Sequence, residues 1–265
     1  MEELIELGWG KLNIRVRKTE PFVYYATYIS GEYNRIHIEE NDIVIDAGAN
    51  IGDFTIKAAN LCQSGKVIAL EPDPGSLQIL RENIALNNLE NVIILPYGLS
   101  DINGKAHLSN NNTTVSSTIM EEVTDSIQIE TKTIQEILDT YCSNSNQVVL
   151  KMDIEGAEKL VFSNLKFLQK IRELSIELHG EDNVNNIPNI LIAEHFKVYE
   201  FKLIDEVKNT LISFFSHPLS FISSERKTKW IAIKGLIKTL HKSNPIPSLS
   251  NPQFKLIYAK RTDAV

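Results

Sequence analysis

Short apolar runs alternate with longer segments of helical spacing between residues 42 and 178. Each run is bounded by polar residues, which is typical of a strand buried on both faces of a sheet. Strands that alternate with helices imply right-handed crossovers, so we expect a mostly parallel sheet with helices on both faces. The predicted strands are Asp42–Asp46, Lys66–Leu70, Val92–Leu95, Val148–Asp153 and Leu174–Leu178. The pattern predicts an α/β fold.

Helical segments are predicted between these strands, over Phe54–Leu61, Pro74–Asn87, Thr133–Tyr141 and Ala157–Leu168. Asp73 suits the N-cap of the second helix, and Pro74 suits its first helical position. A polar stretch over residues 101–132 predicts a loop or an irregular hairpin, closed by a strand at Gln128–Lys132.

The chain divides into an extension and a domain. Residues 1–40 predict an N-terminal extension of short strands, or of a strand and a helix. Residues 41–265 predict one domain, whose last two strands are Lys197–Lys202 and Phe254–Lys260. An insertion over residues 203–253 separates these two strands. Long insertions beside a binding edge are often functional lids, so we expect this one to border a ligand site.

Composition limits the classes of partner and compartment. The 265 residues carry a formal net charge of -7, so nucleic acid is a disfavoured partner. The only cysteines, Cys62 and Cys142, form no CxxC pair, which disfavours a disulfide framework or a thiolate metal site. The first residues do not resemble a secretory signal, and no apolar run is long enough to span a membrane. We therefore expect a soluble, cytoplasmic protein.

A glycine turn follows the first predicted strand, at the strand edge where ligands bind in parallel sheets. It reads Asp46-Ala-Gly48-Ala-Asn50-Ile-Gly52. Glycines here let the backbone turn tightly and approach a ligand. Alternatively, the turn is only a tight strand-to-helix connection. Its spacing departs from the G-x-G-x-x-G dinucleotide fingerprint, which disfavours a nicotinamide-dependent oxidoreductase.

Glu71 follows the second predicted strand. A carboxylate at this position can accept hydrogen bonds from both hydroxyls of a ribose. The alternative role is that of a helix N-cap, but Asp73 already suits that position. The segment Pro96–Asp101 follows the third strand, and its small residues suit the edge of an adenine ring.

Three carboxylates, Asp153, Glu155 and Glu158, follow the fourth predicted strand within six residues. Carboxylates buried together repel each other, and a cationic ligand or a metal relieves that repulsion. Alternatively, Asp153 caps the next helix and Glu158 faces solvent. The fifth strand ends at Glu177-Leu-His179, at the same edge of the sheet.

The phrases DAGANIGDFT (residues 46–55) and KMDIEGAE (residues 151–158) resemble the two most recognisable motifs of the FkbM-type family of S-adenosylmethionine-dependent methyltransferases. The resemblance covers roughly residues 40–180, and a weaker resemblance extends to the predicted last strand, Phe254–Lys260. It implies the Rossmann-like class I methyltransferase fold, in which a seven-stranded, mostly parallel sheet has an antiparallel last strand. It also implies S-adenosylmethionine as the cofactor and places Asp153 near the reacting methyl group.

The candidate site residues combine these observations. The predicted cofactor-binding residues are Asp46, Gly48, Ala49, Asn50, Gly52, Glu71, Pro72, Leu99, Ser100 and Asp153. Carboxylates near the sulfonium and ammonium groups of the cofactor are electrostatically favourable. The predicted catalytic residues are Asp153, His179 and Glu155, since a neutral hydroxyl needs a general base in order to attack. No metal site is predicted.

The resemblance indicates O-methylation of a hydroxyl on a sugar, a glycolipid or a small metabolite. An RNA methyltransferase is the alternative enzyme, although the net charge of -7 and the lack of a recognisable RNA-binding module disfavour it. A non-catalytic protein that binds S-adenosylmethionine is a further alternative. The sequence does not indicate an oligomeric state.

The insertion carries a basic amphipathic pattern over residues 229–242. Its apolar positions fall on one side of a helix, and Lys234, Lys238 and Lys242 fall opposite. Such a helix can lie on an anionic membrane surface, so peripheral membrane contact and a lipid-linked acceptor are possible. The alternative, which we favour, is a helix that packs its apolar stripe on the domain and covers the acceptor site.

Overall fold

A hairpin and a short helical segment form the N-terminal extension in the computed structural model, which describes residues 3–109, 119–120, 126–143, 147–216 and 253–262. Strand β1 (Leu4–Trp9) pairs antiparallel with β2 (Leu12–Arg17). Helix α1 (Phe22–Tyr24) leads directly into a π-helical segment, Tyr25–Ser30. The extension therefore contains two short strands and a helical segment, which combines the two alternatives that the sequence left open.

The remaining strands follow in chain order. They are β3 (Ile43–Ala47), β4 (Lys66–Leu70), β5 (Val92–Leu95), β6 (Tyr97–Leu99), β7 (Gly104–Ser109), β8 (Ile119–Met120), β9 (Ser126–Lys132), β10 (Val148–Met152), β11 (Ile171–His179), β12 (Phe196–Glu200) and β13 (Phe254–Arg261). The remaining helices are α2 (Asp53–Leu61), α3 (Pro74–Leu86), α4 (Ile134–Tyr141), α5 (Glu158–Val161), a 3₁₀ helix (Leu165–Lys170), α6 (Glu181–Ala193) and α7 (Leu203–Ser216).

Seven strands form the central sheet in the order β12-β13-β11-β10-β3-β4-β5. β13 runs antiparallel to both of its neighbours, and the other pairs are parallel. This arrangement confirms the predicted α/β fold with an antiparallel last strand. The strand order reverses between the neighbouring strands β3 and β10: the chain continues from β3 to β4 on one side and returns at β10 on the other. A crevice at the carboxyl ends of these strands is the expected ligand site.

One local prediction is wrong, and another is incomplete. The helix predicted over Ala157–Leu168 is broken, because Asn164 adopts an extended conformation and caps the 3₁₀ helix through Lys166 N. In the stretch predicted as a loop or irregular hairpin, β7 and β9 do pair antiparallel, and β9 contains the predicted closing strand Gln128–Lys132. The prediction missed that these strands belong to a four-stranded sheet in the order β6-β9-β7-β8. A half-exposed sheet needs only one apolar face, which here includes Leu108 and Ile129. The segment is therefore too polar for its strands to be recognised as apolar runs in the sequence.

Helix α6 was not predicted from the sequence. It follows β11 directly and contains Pro188 in its interior. Proline within an apparent helical pattern normally marks a helix end, so the pattern alone gave no helix here.

The core continues from the central sheet into the N-terminal extension. Leu7, Tyr24 and Tyr28 pack in one buried cluster with Ile51 and Leu80, which belong to the connection after β3 and to α3. The buried Asn83 side chain donates to the carbonyl oxygens of Arg15 and Ile51 at 2.9 and 2.8 Å. The extension thus supports the loop that follows β3.

Helix α7 packs on the π-helical segment through polar side chains. Glu206, Thr210 and Ser213 are buried in this contact, and Tyr25 Oη donates to Glu206 Oε1 at 3.3 Å. The outward side chains of α7 include Ile212 and Phe215. The amphipathic helix predicted over residues 229–242 lies outside the described residues. Within the described ranges, no helix combines the length and the apolar character needed to cross a bilayer.

Candidate active site

The glycine turn after β3 is shaped by the neighbouring strand β10. Gly48 has φ +75°, and a Cβ atom there would overlap the carbonyl oxygen of Asp153. Gly52 has φ +88°, and a Cβ atom there would overlap the Leu80 side chain. Glycine is therefore required at both positions, because the turn packs directly against β10 and α3.

Glu71 connects this turn to α3. Its carboxylate accepts hydrogen bonds from the backbone N–H groups of Asn50 and Asp73, at 2.7 and 2.8 Å. Asp73 caps α3 by accepting from Ser76 N at 2.7 Å, which confirms the predicted N-cap and excludes Glu71 from that role. Burial raises the pKa of Glu71 to about 7, although the two N–H donors oppose this shift. The carboxylate retains lone pairs for a ligand.

A cavity of about 650 Å³, part of it open to solvent, lies at the carboxyl ends of β3, β4 and β10. This volume suits a drug-sized ligand. Of the residues predicted from the sequence, those that line the cavity are Gly48, Asn50, Glu71, Pro72, Leu99, Asp153 and Glu155. The structure therefore brings the tips of all three strands together around one space.

Four of the residues predicted to bind the cofactor do not line this cavity: Asp46, Ala49, Gly52 and Ser100. Asp46 is fully buried beneath it, where Oδ2 accepts from Thr55 Oγ1 at 2.5 Å. Gly52 packs against α3, and Ser100 Oγ donates to Asp101 Oδ1 at 3.0 Å. Asp46 and Gly52 thus lie behind the cavity wall.

The cavity also contains residues that the sequence did not single out. Tyr97 and Gly98 come from β6, next to the predicted Leu99, and their segment was already a candidate for an adenine edge. Leu108 comes from β7, which the sequence did not identify as a strand, so no signal pointed to it. Together with Pro72 and Leu99, Tyr97 and Leu108 make one side of the cavity apolar.

Lys151 is a counter-charge that the sequence analysis missed. Its Nζ donates to the Gly48 carbonyl oxygen at 2.7 Å and lies 3.3 Å from Asp46 Oδ1. Burial lowers the pKa of Lys151, but the charges of Asp46 and Asp153 outweigh burial and leave the pKa above its ordinary value. The buried cation thus holds the glycine turn against β10.

The carboxylates after β10 surround His179 at the end of β11. His179 Nδ1 donates to Glu158 Oε1 at 3.1 Å, and Nε2 lies 3.4 Å from Glu155 Oε2. Glu158 is fully buried and also accepts from Asn183 Nδ2 at 2.7 Å, so the alternative that it faces solvent is wrong. The N-cap of α5 is Ala157, so Asp153 does not cap that helix.

These neighbours set the charge of His179. Burial lowers its pKa, but the hydrogen bond to Glu158 and the charges of Asp153 and Glu155 raise the pKa to about 10. Burial, followed by the charge of Asp153, raises the pKa of Glu155. In this arrangement His179 is a cation and a hydrogen-bond donor, and Glu155 is the better proton acceptor.

A family model for the methyltransferase FkbM domain matches residues 46–216, which is more than half of the chain. The chain belongs to the FkbM methyltransferase family. This finding confirms the resemblance seen in the two sequence motifs.

Three relatives illustrate what the FkbM-family chain is similar to. Methyltransferase sdnD of Sordaria araneosa is 27% identical over 169 residues, covering 52% of this chain and 65% of that protein. The tRNA (guanine(37)-N(1))-methyltransferase Trm5b of Methanocaldococcus jannaschii is 36% identical over 74 residues, covering 27% of this chain and 21% of that protein. Both matches span less than two thirds of the relative's length.

The third relative is a solved structure, the methyltransferase FkbM from Methylobacillus flagellatus KT. It superposes with a TM-score of 0.50 at 14% identity, covering 91% of this chain and 50% of that chain. At this identity the likeness shows the fold alone.

We predict that Gly48→Ala lowers the free energy of unfolding by about 2–5 kcal/mol, because it combines a left-handed backbone with a steric overlap. Gly10→Ala is the matched control. Gly10 has φ +60° and no atom within 4 Å of a Cβ at that position, so this change should cost only about 1–2 kcal/mol. Urea denaturation of both variants measures the difference. Equal losses would show that β10 does not constrain the turn.

Proposed function

We propose that this FkbM-family chain transfers a methyl group from S-adenosylmethionine to a hydroxyl of a sugar, a glycolipid or a small metabolite. The observation that carries the proposal is the single cavity into which the β3 turn, Glu71 and Asp153 all project. These are the positions at which the family resemblance implies cofactor contacts.

The residues around the cavity fit the chemistry of that cofactor. The Glu71 carboxylate can accept from the ribose hydroxyls, and Tyr97, Leu99 and Leu108 offer an apolar side for the adenine. Asp153 Oδ1 is buried and has no hydrogen-bond partner among the described residues. A carboxylate oxygen in this state is stabilised by a nearby cation, such as the sulfonium or ammonium group of the cofactor.

When bound, S-adenosylmethionine supplies an activated methyl group on a sulfonium. In the transfer, an acceptor oxygen bonds to the methyl carbon as the carbon–sulfur bond breaks and its electron pair passes to sulfur. The hydroxyl proton must pass to a base. Glu155 lines the cavity and has a raised pKa, so we assign it this proton. His179, as a cation, orients Glu155 rather than acting as the base.

We infer that the N-terminal extension and α7 border the acceptor. Tyr33 Oη, from the extension, donates to Glu177 Oε1 at 2.5 Å, beside the carboxylates that follow β10. Helix α7 packs on the same extension and opens the insertion. These contacts put the first part of the insertion, α7, beside the extension, and the exposed apolar side chains of α7 are compatible with a lipid-linked acceptor or peripheral membrane contact. The rest of the predicted lid lies outside the described residues.

A tRNA acceptor is the second candidate, because Trm5b is 36% identical over 74 residues. The carboxylates that follow β10 and β11 disfavour it, since they would repel a phosphodiester backbone. Unmodified tRNA is therefore included among the acceptors to be tested.

We predict that methyl-labelled S-adenosylmethionine transfers its label to a hydroxyl compound in a panel of glycans, glycolipids, polyols and unmodified tRNA. The Glu155→Gln variant should lose most of this transfer while still binding S-adenosylhomocysteine. Glu90→Gln, at an exposed position remote from the cavity, is the control and should behave as the wild type. Label that enters only tRNA would contradict the proposed acceptor class. Binding of S-adenosylhomocysteine without transfer to any acceptor would favour a non-catalytic protein.

We predict that affinity for S-adenosylhomocysteine rises by up to about tenfold between pH 6 and pH 8. The pKa of Glu71 is raised to about 7, so the carboxylate that accepts from the ribose forms as the pH rises through this value. Asp73 and Lys151 are the charged groups that act on Glu71. Glu71→Gln should weaken binding by about 1.5–3 kcal/mol and remove this pH dependence. Calorimetry at several pH values checks both. If the variant keeps the wild-type slope, another group controls it.

A further inference from the structure

The ends of β10 and β11 bring three potential metal ligands together beside the cofactor cavity. Asp153, Glu177 and His179 each offer one ligand atom, and these atoms all lie within 4.8 Å of one another. The donors come from the ends of two consecutive strands, which the sequence had already placed at one edge of the sheet. Groups of acidic side chains are common on protein surfaces without a metal ion. The contacts around each candidate ligand therefore decide whether the group can bind one.

His179 is oriented as metal-binding histidines are. Metal ligands of this type usually donate their other ring N–H to a carboxylate, which fixes the ring and leaves the second nitrogen for the ion. Here Nδ1 donates to Glu158, a fully buried carboxylate held by Asn183 Nδ2 and by Gly156 N at 3.2 Å. The remaining nitrogen, Nε2, lies 3.4 Å from Glu155 Oε2, and a metal ion that binds there replaces the proton that Nε2 carries without the ion.

The carboxylates of the cluster lack sufficient counter-charge. Asp153 Oδ1 is buried without a hydrogen-bond partner in the described part of the chain. Tyr33 engages Glu177 Oε1, which leaves Oε2 for a ligand. Lys151 is already held by Gly48 and Asp46.

Glu32 provides a second, independent indication. It is only 8% exposed, and within the described ranges no hydrogen-bond donor or cation pairs with its carboxylate. Burial and the charges of Glu177, Glu206 and Asp153 raise its pKa, so Glu32 adds to the negative charge around the cluster. A buried, unpaired carboxylate beside two others indicates a missing cation.

We propose that Asp153, Glu177 and His179 bind a divalent cation, with Glu158 orienting the histidine. Two carboxylate oxygens and one imidazole nitrogen form a mixed donor set that suits Mn²⁺ better than Ca²⁺ or Mg²⁺, and no thiolate is present to select softer metals. Three protein ligands leave coordination positions open for another oxygen.

The open positions suggest the role of the cation. If the proposed function is correct, an acceptor hydroxyl binds there, and the cation lowers the pKa of that hydroxyl. Its proton then passes to Glu155, which lies 3.4 Å from His179 Nε2 before the ion binds. Cation binding itself does not depend on the proposed function.

The test is a titration of the full chain, stripped with EDTA, with Mn²⁺, followed by the EPR signal of the free ion. We expect one tight site per chain, with Mg²⁺ binding more weakly. Glu177→Gln and His179→Gln should each weaken Mn²⁺ at least tenfold, and Glu158→Gln should weaken it about 10–100-fold through the histidine. Glu90→Gln, at an exposed carboxylate, should bind as the wild type does. Thermal denaturation identifies variants that do not fold. If one of the three test variants does not fold, Asp153→Asn is used in its place.

No tight site in the wild type, or equal affinity in every folded variant, would overturn the proposal and leave only general attraction to a negatively charged protein. Binding of S-adenosylhomocysteine is measured in the same metal-free samples. If the cofactor product binds and Mn²⁺ does not, the cation site fails while the proposed function stands. If Mn²⁺ binds at these residues and the cofactor product does not, the proposed function fails while the cation site stands.

Discussion

The close packing of the β3 turn against the end of β10 is the contact on which the site depends. Gly48 leaves room for the Asp153 carbonyl oxygen, and Lys151 bonds the Gly48 carbonyl oxygen from below. Lys151 also neutralises the buried Asp46. One cation on β10 therefore contacts both the turn and the end of β3, and Asp153 is held by its own N–H bond to the Ala47 carbonyl oxygen. Glu71 holds the other side of the same turn through Asn50 N. These contacts join the three strand tips around one cavity.

Partly buried carboxylates outnumber the cations on the β10–β11 side of this cavity. Asp153, Glu155 and Glu177 are near one another, and His179 compensates only part of their charge. Such a surplus costs stability unless a cation binds. The proposed sulfonium cofactor and the proposed divalent cation would both supply positive charge next to Asp153. The charge of this side of the site therefore favours positively charged ligands.

The sequence predicted the parts of the site that depend on strand tips and chain direction. Parallel strands bring their carboxyl ends to one edge, so Gly48, Glu71 and Asp153 could be grouped from their positions alone. Contacts between distant elements were not predictable in this way. Leu108 reaches the cavity only because β7 pairs in a second sheet, and Tyr33 reaches Glu177 only because the extension folds back over the sheet edge. Asp46 was misplaced for a related reason, since its partner Lys151 was not recognised.

The most direct test is a crystal structure of the chain with S-adenosylhomocysteine. The account predicts the ligand in the cavity between the β3 turn, Glu71 and β6, with both ribose hydroxyls in hydrogen-bond distance of the Glu71 carboxylate. The sulfur should lie on the side of Asp153, which faces Glu155 and the end of β11. A ligand bound outside this cavity, or a ribose that does not contact Glu71, would contradict the account.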